Sequence, residues 1–407
     1  MPLPTPFHPR TSALCTSYRW KDWAGYHAVC SYDICFEREY TAFRHAAGLL
    51  DVTPLFKTRI TGPDAADFLS FVLTRDARRL KDAQVAYSTW CDDAGKLIDD
   101  GTLTRLNASD FRLTSADPAR AWLASNARGF SVELLDETEQ IAALSLQGPR
   151  SRAVLSALAA QTTGTEAATR LEALPFFRSL DAELAGRTVT VSRTGYTGDL
   201  GYELWCSPAH ALALWDALVE AGAPHGLLPA GLDALDVTRI EAGFILNGID
   251  YTSALSAPIK ARKSTPHELG LGWTVHLERE PFLGQQALRR ERQAGPARTL
   301  VGLDADWDAL EALFDRHDLA PELAAGGWRT AVPVYANADG ERIQIGQATS
   351  GAWSPTLKQN LALASVRSAH ARLGMTLGLE VTVEYERCVI PATVVKRPFY
   401  NPAHKRA

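Results

Sequence analysis

The C-terminal quarter of the chain most limits what it can fold into. After residue 297, six short and mostly apolar stretches follow one another: Leu300 to Leu303, Ala331 to Tyr335, Gln344 to Thr349, Leu361 to Val366, Val381 to Tyr385 and Val389 to Val395. Glycine and proline punctuate them. Strands this short bury an apolar face only if their sheet closes on itself or doubles over, so they predict a small barrel or jelly roll. A charged, helix-like insert from Trp307 to Leu323 interrupts the run. Ahead of it, Arg289-Arg290-Glu291-Arg292 followed by Gly295-Pro296 is the best linker, which divides the chain into 1–290 and 297–407. The first part mixes strand and helix signals. Ser207-Pro208 opens a helix that Gly222 stops. A second helix is expected from Asp233 to Ala242, ended by Gly243. With 407 residues, two or three domains are expected, as an α+β body followed by a β-rich domain.

Net charge is −5 and the isoelectric point is near 6.1, which gives no electrostatic case for nucleic acid or an anionic membrane surface as partner. No apolar run reaches the length of a membrane span, and the N-terminus lacks a secretory apolar segment. The six cysteines, at 15, 30, 35, 91, 206 and 388, are scattered without a C-x-x-C pair. That pattern fits free thiols in a reducing compartment, and a cytoplasmic location is expected.

Around Arg193-Thr194-Gly195-Tyr196-Thr197-Gly198-Asp199-Leu200-Gly201-Tyr202-Glu203 the pattern is strand, glycine-rich turn, strand. Val189 and Val191 alternate with polar residues before the turn. After it, Tyr202, Leu204 and Cys206 share one strand face while Glu203 and Trp205 share the other. Glycines spaced by three let a backbone or a flat ligand come close. A carboxylate beside a tryptophan can hold a planar heterocycle rich in N–H groups; a plain hairpin with a surface glutamate has the same pattern. Asp99-Asp100 follows Gly95-Lys96-Leu97-Ile98. Adjacent acids on a strand point to opposite faces, so only one can face a cavity, where it can orient a substrate nitrogen or take its proton. A solvated strand end reads the same. Tyr87 falls on a neighbouring strand, as a cavity residue or as core. Arg239 shares a helix face with Leu235 and can meet an anionic ligand or a neighbouring acid. No phosphate loop, dinucleotide fingerprint, nucleophile elbow or zinc spacing appears. Catalysis by positioning a reactive cofactor remains.

Taken together, the segments resemble the folate-dependent aminomethyltransferase family, typified by the T-protein of the glycine cleavage system. The resemblance runs nearly end to end. It rests on Trp23 to Tyr26, Gly48 to Thr53 with Lys57 and Gly62 to Ala65, Gln84 to Tyr87, Gly95 to Asp100, Leu146-Gln147-Gly148-Pro149, the hairpin segment, Gly270-Leu271-Gly272-Trp273, and Thr349-Ser350-Gly351 with Ser354 to Leu357. It implies three domains arranged as a cloverleaf around a central folate channel, with a C-terminal Greek-key barrel. It implies Asp100 as the catalytic acid, Glu203 as the pterin holder, and Tyr87 and Tyr196 as pocket tyrosines; Arg239 stays a further cofactor-binding candidate from its own helix position. Tetrahydrofolate is the implied cofactor.

Three departures modify that picture. Leu235 stands where the T-protein has a ligand-contacting arginine, although related domains fused to sarcosine and dimethylglycine dehydrogenases are also aliphatic there. Ser115-Ala116-Asp117-Pro118 replaces S-N-A-G and loses an asparagine. Thr252 to Lys263 resembles an insertion carrying Lys260, Arg262 and Lys263. The resulting expectation is an enzyme moving a methyl or aminomethyl group from a small-molecule donor to tetrahydrofolate. The first alternative is a T-protein taking its unit from a lipoyl carrier protein. The second is a non-catalytic folate-binding protein of iron–sulfur maintenance, whose cysteine motif has Pro281 in place of the thiol.

Overall fold

Strand alternation and helical periodicity build three packing units whose chains interleave. The structure is a computed structural model that describes residues 1–162, 165–324, 326–338 and 341–406. A six-stranded sheet runs in the order Ser179–Leu184, Arg187–Ser192, Gly201–Cys206, Ala142–Gln147, Ala47–Asp51, Leu227–Pro229. Val189, Val191, Tyr202 and Leu204 are buried on one face, as their alternation predicts. Helix Ser151–Thr162 covers that face with Val154, Leu155, Leu158 and Ala159, all buried and spaced as one helical stripe. Between Asp51 and Ala142 the chain leaves this sheet and makes a second one of five strands, Val85–Cys91, Leu97–Asn107, Asp110–Ser115, Phe56–Thr61 and Glu133–Asp136. Helix Ala65–Val72 packs Phe68, Leu69 and Val72 onto it.

The third unit is a closed barrel of six antiparallel strands, Arg298–Ala305, Gln359–Arg367, Glu341–Ser354, Val332–Ala338, Thr376–Val383 and Glu386–Val395, with the first and last paired. Each strand overlaps one of the six apolar stretches read from the sequence, although Val381 to Tyr385 catches only the end of Thr376–Val383 and the turn after it. The inserted helix is shorter than that pattern suggests, spanning Trp307–Asp315. Asp306 caps its start by accepting from Ala309 N at 2.8 Å. Asp318 adopts a positive φ and Pro321 follows, which ends any continuation. The tail beyond Val395 returns to the six-stranded unit: the Tyr400 hydroxyl donates to Asp199 at 3.0 Å, and His404 Nε2 lies 2.7 Å from the same carboxylate.

The barrel is locked to the rest by buried polar contacts. Arg44 donates to Glu241 through Nε at 2.8 Å, and both side chains are at most 1% exposed. Ser354 donates to Glu241, and the Tyr40 hydroxyl bonds to both Glu241 and Thr356. The Ser354 to Leu357 motif is thus a docking device for the end of helix Leu232–Glu241. All six cysteines are free thiols. Among the described residues, no helix is long and apolar enough to cross a membrane.

Candidate functional site

The candidate site is centred on Asp100, where the five-stranded sheet meets the 244–251 loop. Strand Leu97–Asn107 pairs with Val85–Cys91 so that Asp100 lies opposite Thr89, which puts Tyr87 on the diagonal. The Tyr87 hydroxyl donates to Asp100 Oδ2 at 2.6 Å. Asp99 is 2% exposed while Asp100 is half-buried, so one acid of the pair is open and the other is packed. A bulge just before the acids, where the pairing slips between Trp90 and Cys91, twists the strand. The Tyr251 hydroxyl consequently reaches both, donating to Asp99 Oδ1 at 2.9 Å and to Asp100 Oδ1. Asp99 also accepts from Asn247 Nδ2 at 3.0 Å and from the Asp117 backbone N–H at 3.1 Å.

Burial pushes both carboxyls up; for Asp99 the nearby Asp100 charge adds to this and carries it to about 7. Two adjacent carboxyls in a poorly solvated site do not both ionise easily, and the pair holds one proton into the neutral range. Neither forms an ion pair with a Lys, Arg or His among the described residues.

Tyr196 sits on the glycine-rich turn, within electrostatic reach of Asp100 and Tyr87. Its hydroxyl donates to the Ile245 carbonyl, and its ring stacks on Phe244 at 5.5 Å. The glycine spacing has a specific cause. A Cβ on Gly195 or on Gly201 would lie about 2 Å from the Gln147 amide. Gln147 threads between them, donating to the Thr194 carbonyl at 3.1 Å and accepting from the Thr197 hydroxyl at 3.0 Å. The close approach the glycines allow is therefore made by a side chain of the neighbouring strand. Glu203 shares a strand face with the buried Trp205, opposite Tyr202 and Leu204, and accepts from the Thr194 hydroxyl at 2.6 Å through Oε2. Its Oε1 has no partner among the described residues. Burial raises its pKa, and the Thr194 hydroxyl only partly offsets that. A desolvated carboxylate with an open oxygen, on the turn that carries Tyr196, suits the adjacent N–H groups of a reduced pterin.

Arg239, the further cofactor-binding candidate, lies inside the protein, with its Nη2 unpartnered among the described residues. It is 1% exposed and clamped between Asp236 (Nε, 2.7 Å) and Asp250 (Nη1, 2.6 Å). Burial opposes its charge, but the two carboxylates outweigh that and raise its pKa. Asp250 also accepts from the Leu246 N–H at 2.9 Å, Thr349 at 2.6 Å and Ser350 at 2.7 Å. Arg239 thus ties helix, barrel and the 244–251 loop together, and that loop delivers Phe244, Asn247 and Tyr251. Leu235, on the same helix, packs on apolar core between the helix and the barrel. Lys263 of the inserted segment lies 3.4 Å from Asp92.

Sequence reasoning missed Tyr251, Asn247 and the site role of Trp273. Trp273 stacks on Tyr87 at 5.8 Å and is 61% exposed. Its turn is pinned because the Thr74 hydroxyl donates to the Thr274 carbonyl at 3.2 Å and the His276 N–H to the Thr74 carbonyl at 3.0 Å. The asparagine absent at position 116 has a counterpart in Asn247, which arrives from another loop and also donates to Asp117 at 3.0 Å.

Residues 11–279 match the family model described as the GCVT N-terminal domain, and residues 319–401 match that of the glycine cleavage T-protein C-terminal barrel domain. The chain belongs to this family, the folate-dependent aminomethyltransferases, and is an enzyme of the transferase class. It is 35% identical over 90% of its length to an aminomethyltransferase of Bacillus pumilus, covering 91% of that protein. It is 36% identical to a trimethylamine-oxide aldolase of Ruegeria pomeroyi over 90% of its length, but spans only 43% of that relative. Its structure is similar to the glycine cleavage system aminomethyltransferase T of Bartonella henselae, with a TM-score of 0.80, 26% identity, and 98% and 99% of the two chains covered.

Proposed function

We propose that this enzyme transfers a methyl or aminomethyl unit from a free small-molecule donor to tetrahydrofolate. The reading is carried by the Asp99–Asp100 pair bridged by Tyr251: a proton-sharing carboxylate couple with no paired cation among the described residues, open on the side of Asp100. Bound tetrahydrofolate supplies a nucleophilic ring nitrogen that accepts the one-carbon unit. Glu203 would hold the pterin edge through its open oxygen, and Tyr196 and Tyr87 would wall the ring. Tyr87 and Tyr251 aim Asp100 by donating to its two oxygens. Asp100 would take the proton released at that nitrogen. The carbon–heteroatom bond of the donor would break in the same displacement, and the pair would return one proton to that heteroatom. Alignment contributes most of the acceleration, since well-oriented reactants gain roughly 7–11 kcal/mol. Arg239 acts at one remove, by fixing the loop that carries Tyr251.

The aliphatic Leu235 and the 252–263 insertion support a free donor over a carrier-bound one. A lipoyl carrier as donor is the second reading, favoured by the nearly full-length likeness to the Bacillus pumilus aminomethyltransferase. The test is incubation of the pure protein with tetrahydrofolate and a panel of methoxy, methylamino and methylthio compounds, alongside aminomethylated lipoyl carrier, with methyl- and methylene-folate followed by mass spectrometry. Turnover with a free compound and none with the carrier supports the proposal; the reverse sinks it. Asp100→Asn should bind tetrahydrofolate normally and lose at least about a hundredfold in turnover, the usual scale of a lost general base.

A further inference from the structure

Arg75 is a cation with no counter-ion among the described residues. Its Nε donates to the Tyr87 carbonyl at 3.0 Å, and its guanidinium carbon lies 5.6 Å from the centre of the Trp273 ring. It has no acidic partner among the described residues. Asp76, the neighbouring acid, is taken by Arg78 at 2.9 Å and lies 3.6 Å from Arg79. Neither terminal nitrogen of Arg75 donates to anything among the described residues. Burial pushes its pKa down with no opposing charge to offset the loss. The other nearby cation, Arg279, spends its terminal nitrogens on the Ser70 and Leu73 carbonyls. His276 is held toward its neutral form by burial and by Arg75, Arg279 and Arg79. A half-buried, unpaired guanidinium is expensive unless an anion completes it, and its planar fork matches a carboxylate.

Its place in the site defines what that anion belongs to. Tyr87 is held at its backbone by Arg75 and at its hydroxyl by Asp100. The free fork is therefore separated from the reacting carboxylate by the length of one tyrosine, beside the exposed ring of Trp273.

We propose that Arg75 is a specificity-determining residue that binds a carboxylate of a ligand whose reacting atom lies at Asp100. The proposal rests on the transferase reading above. The carboxylate has two possible sources, the glutamyl tail of the folate or an acid group on the donor.

The experiment compares wild type, Arg75→Gln and Arg75→Lys by calorimetry. One arm titrates tetrahydrofolate and a tail-less tetrahydropterin. The other titrates, into folate-loaded protein, methylamino, methoxy and methylthio carboxylic acids and their methyl esters. If the tail is the ligand, Arg75→Gln weakens tetrahydrofolate roughly ten- to hundredfold and leaves the pterin unchanged, the scale of one charge-assisted pair. If the donor is the source, tetrahydrofolate is unaffected and the acids lose affinity while their esters do not. Arg75→Lys recovers part of the loss in either case, because charge survives without the fork. Melting curves of the three proteins exclude unfolding as the cause. If no ligand on either arm distinguishes wild type from Arg75→Gln, the proposal is overturned. Failure of wild type to bind any reduced folate or pterin would instead remove the transferase reading.

Discussion

Tyr251→Phe isolates the bridge that aims the carboxylate pair. Phenylalanine fills the same volume, and Tyr251 is only 3% exposed, so neither a cavity nor incoming water complicates the change. The hydroxyl has one proton to share between Asp99 and Asp100, so a single charge-assisted bond is lost, worth about 1.5–3 kcal/mol. At about 1.4 kcal/mol per factor of ten, the cost in kcat/KM is roughly ten- to hundredfold. The sign with pH follows from the same bond. Donation from Tyr251 lowers the pKa of both acids against the burial that raises them. Without it both rise further, so the acid limb of the pH–rate profile moves to higher pH and the deficit is greater in mild acid than in mild alkali. Stability behaves correspondingly. A carboxyl held above its unfolded value favours the folded state most below about 3.8, and that contribution disappears as pH rises through about 7. Melting temperatures of variant and wild type should converge in acid and separate in alkali. The assay is kcat/KM against pH with the donor identified above, beside thermal melts over the same range. A profile that superimposes on wild type at every pH would refute the bridging role.

Other outcomes follow from neighbouring contacts. Glu203→Gln should weaken tetrahydrofolate binding by about ten- to hundredfold in calorimetry, because two N–H groups lose an anionic acceptor; unchanged affinity would remove Glu203 from the pterin site. Gly101→Ala should lower stability by about 1–3 kcal/mol or prevent folding, since its Cβ would lie 2.0 Å from the Thr114 carbonyl on the paired strand. Denaturant midpoints measure it, and a fully stable variant would refute that contact. Arg44→Leu should cost about 3–5 kcal/mol by leaving Glu241 buried and unpaired, and Arg44→Leu/Glu241→Leu should recover much of the loss. A double variant no more stable than the single would show that the burial penalty is not the cause.

The sheet alternation around Val189 to Cys206, the helix preceding Gly243 and the six barrel strands were legible because burial imposes a period of 2 or 3.6 on neighbouring residues, whatever lies across the core. The ordered motifs also made the family legible. The glycines of the 193–204 segment were legible as a close approach, but not as room for Gln147, whose side chain arrives from a strand some fifty residues earlier. Asp99 and Asp100 could be assigned opposite faces from the strand period, yet their shared hydroxyl could not be foreseen.

What the sequence determines alone is local: which stretches are strand or helix, which faces turn inward, and which acids occupy a strand beside a glycine-rich turn. The tertiary structure decides which of those groups meet. It sets Arg239 against Asp250, and it brings Tyr251 to two acids more than a hundred positions away. It also leaves Arg75 without a counter-charge among the described residues. The reason is that periodicity encodes burial within one element. Pairing between distant charges depends on how separately folded units dock, and that geometry is written in no single stretch of chain.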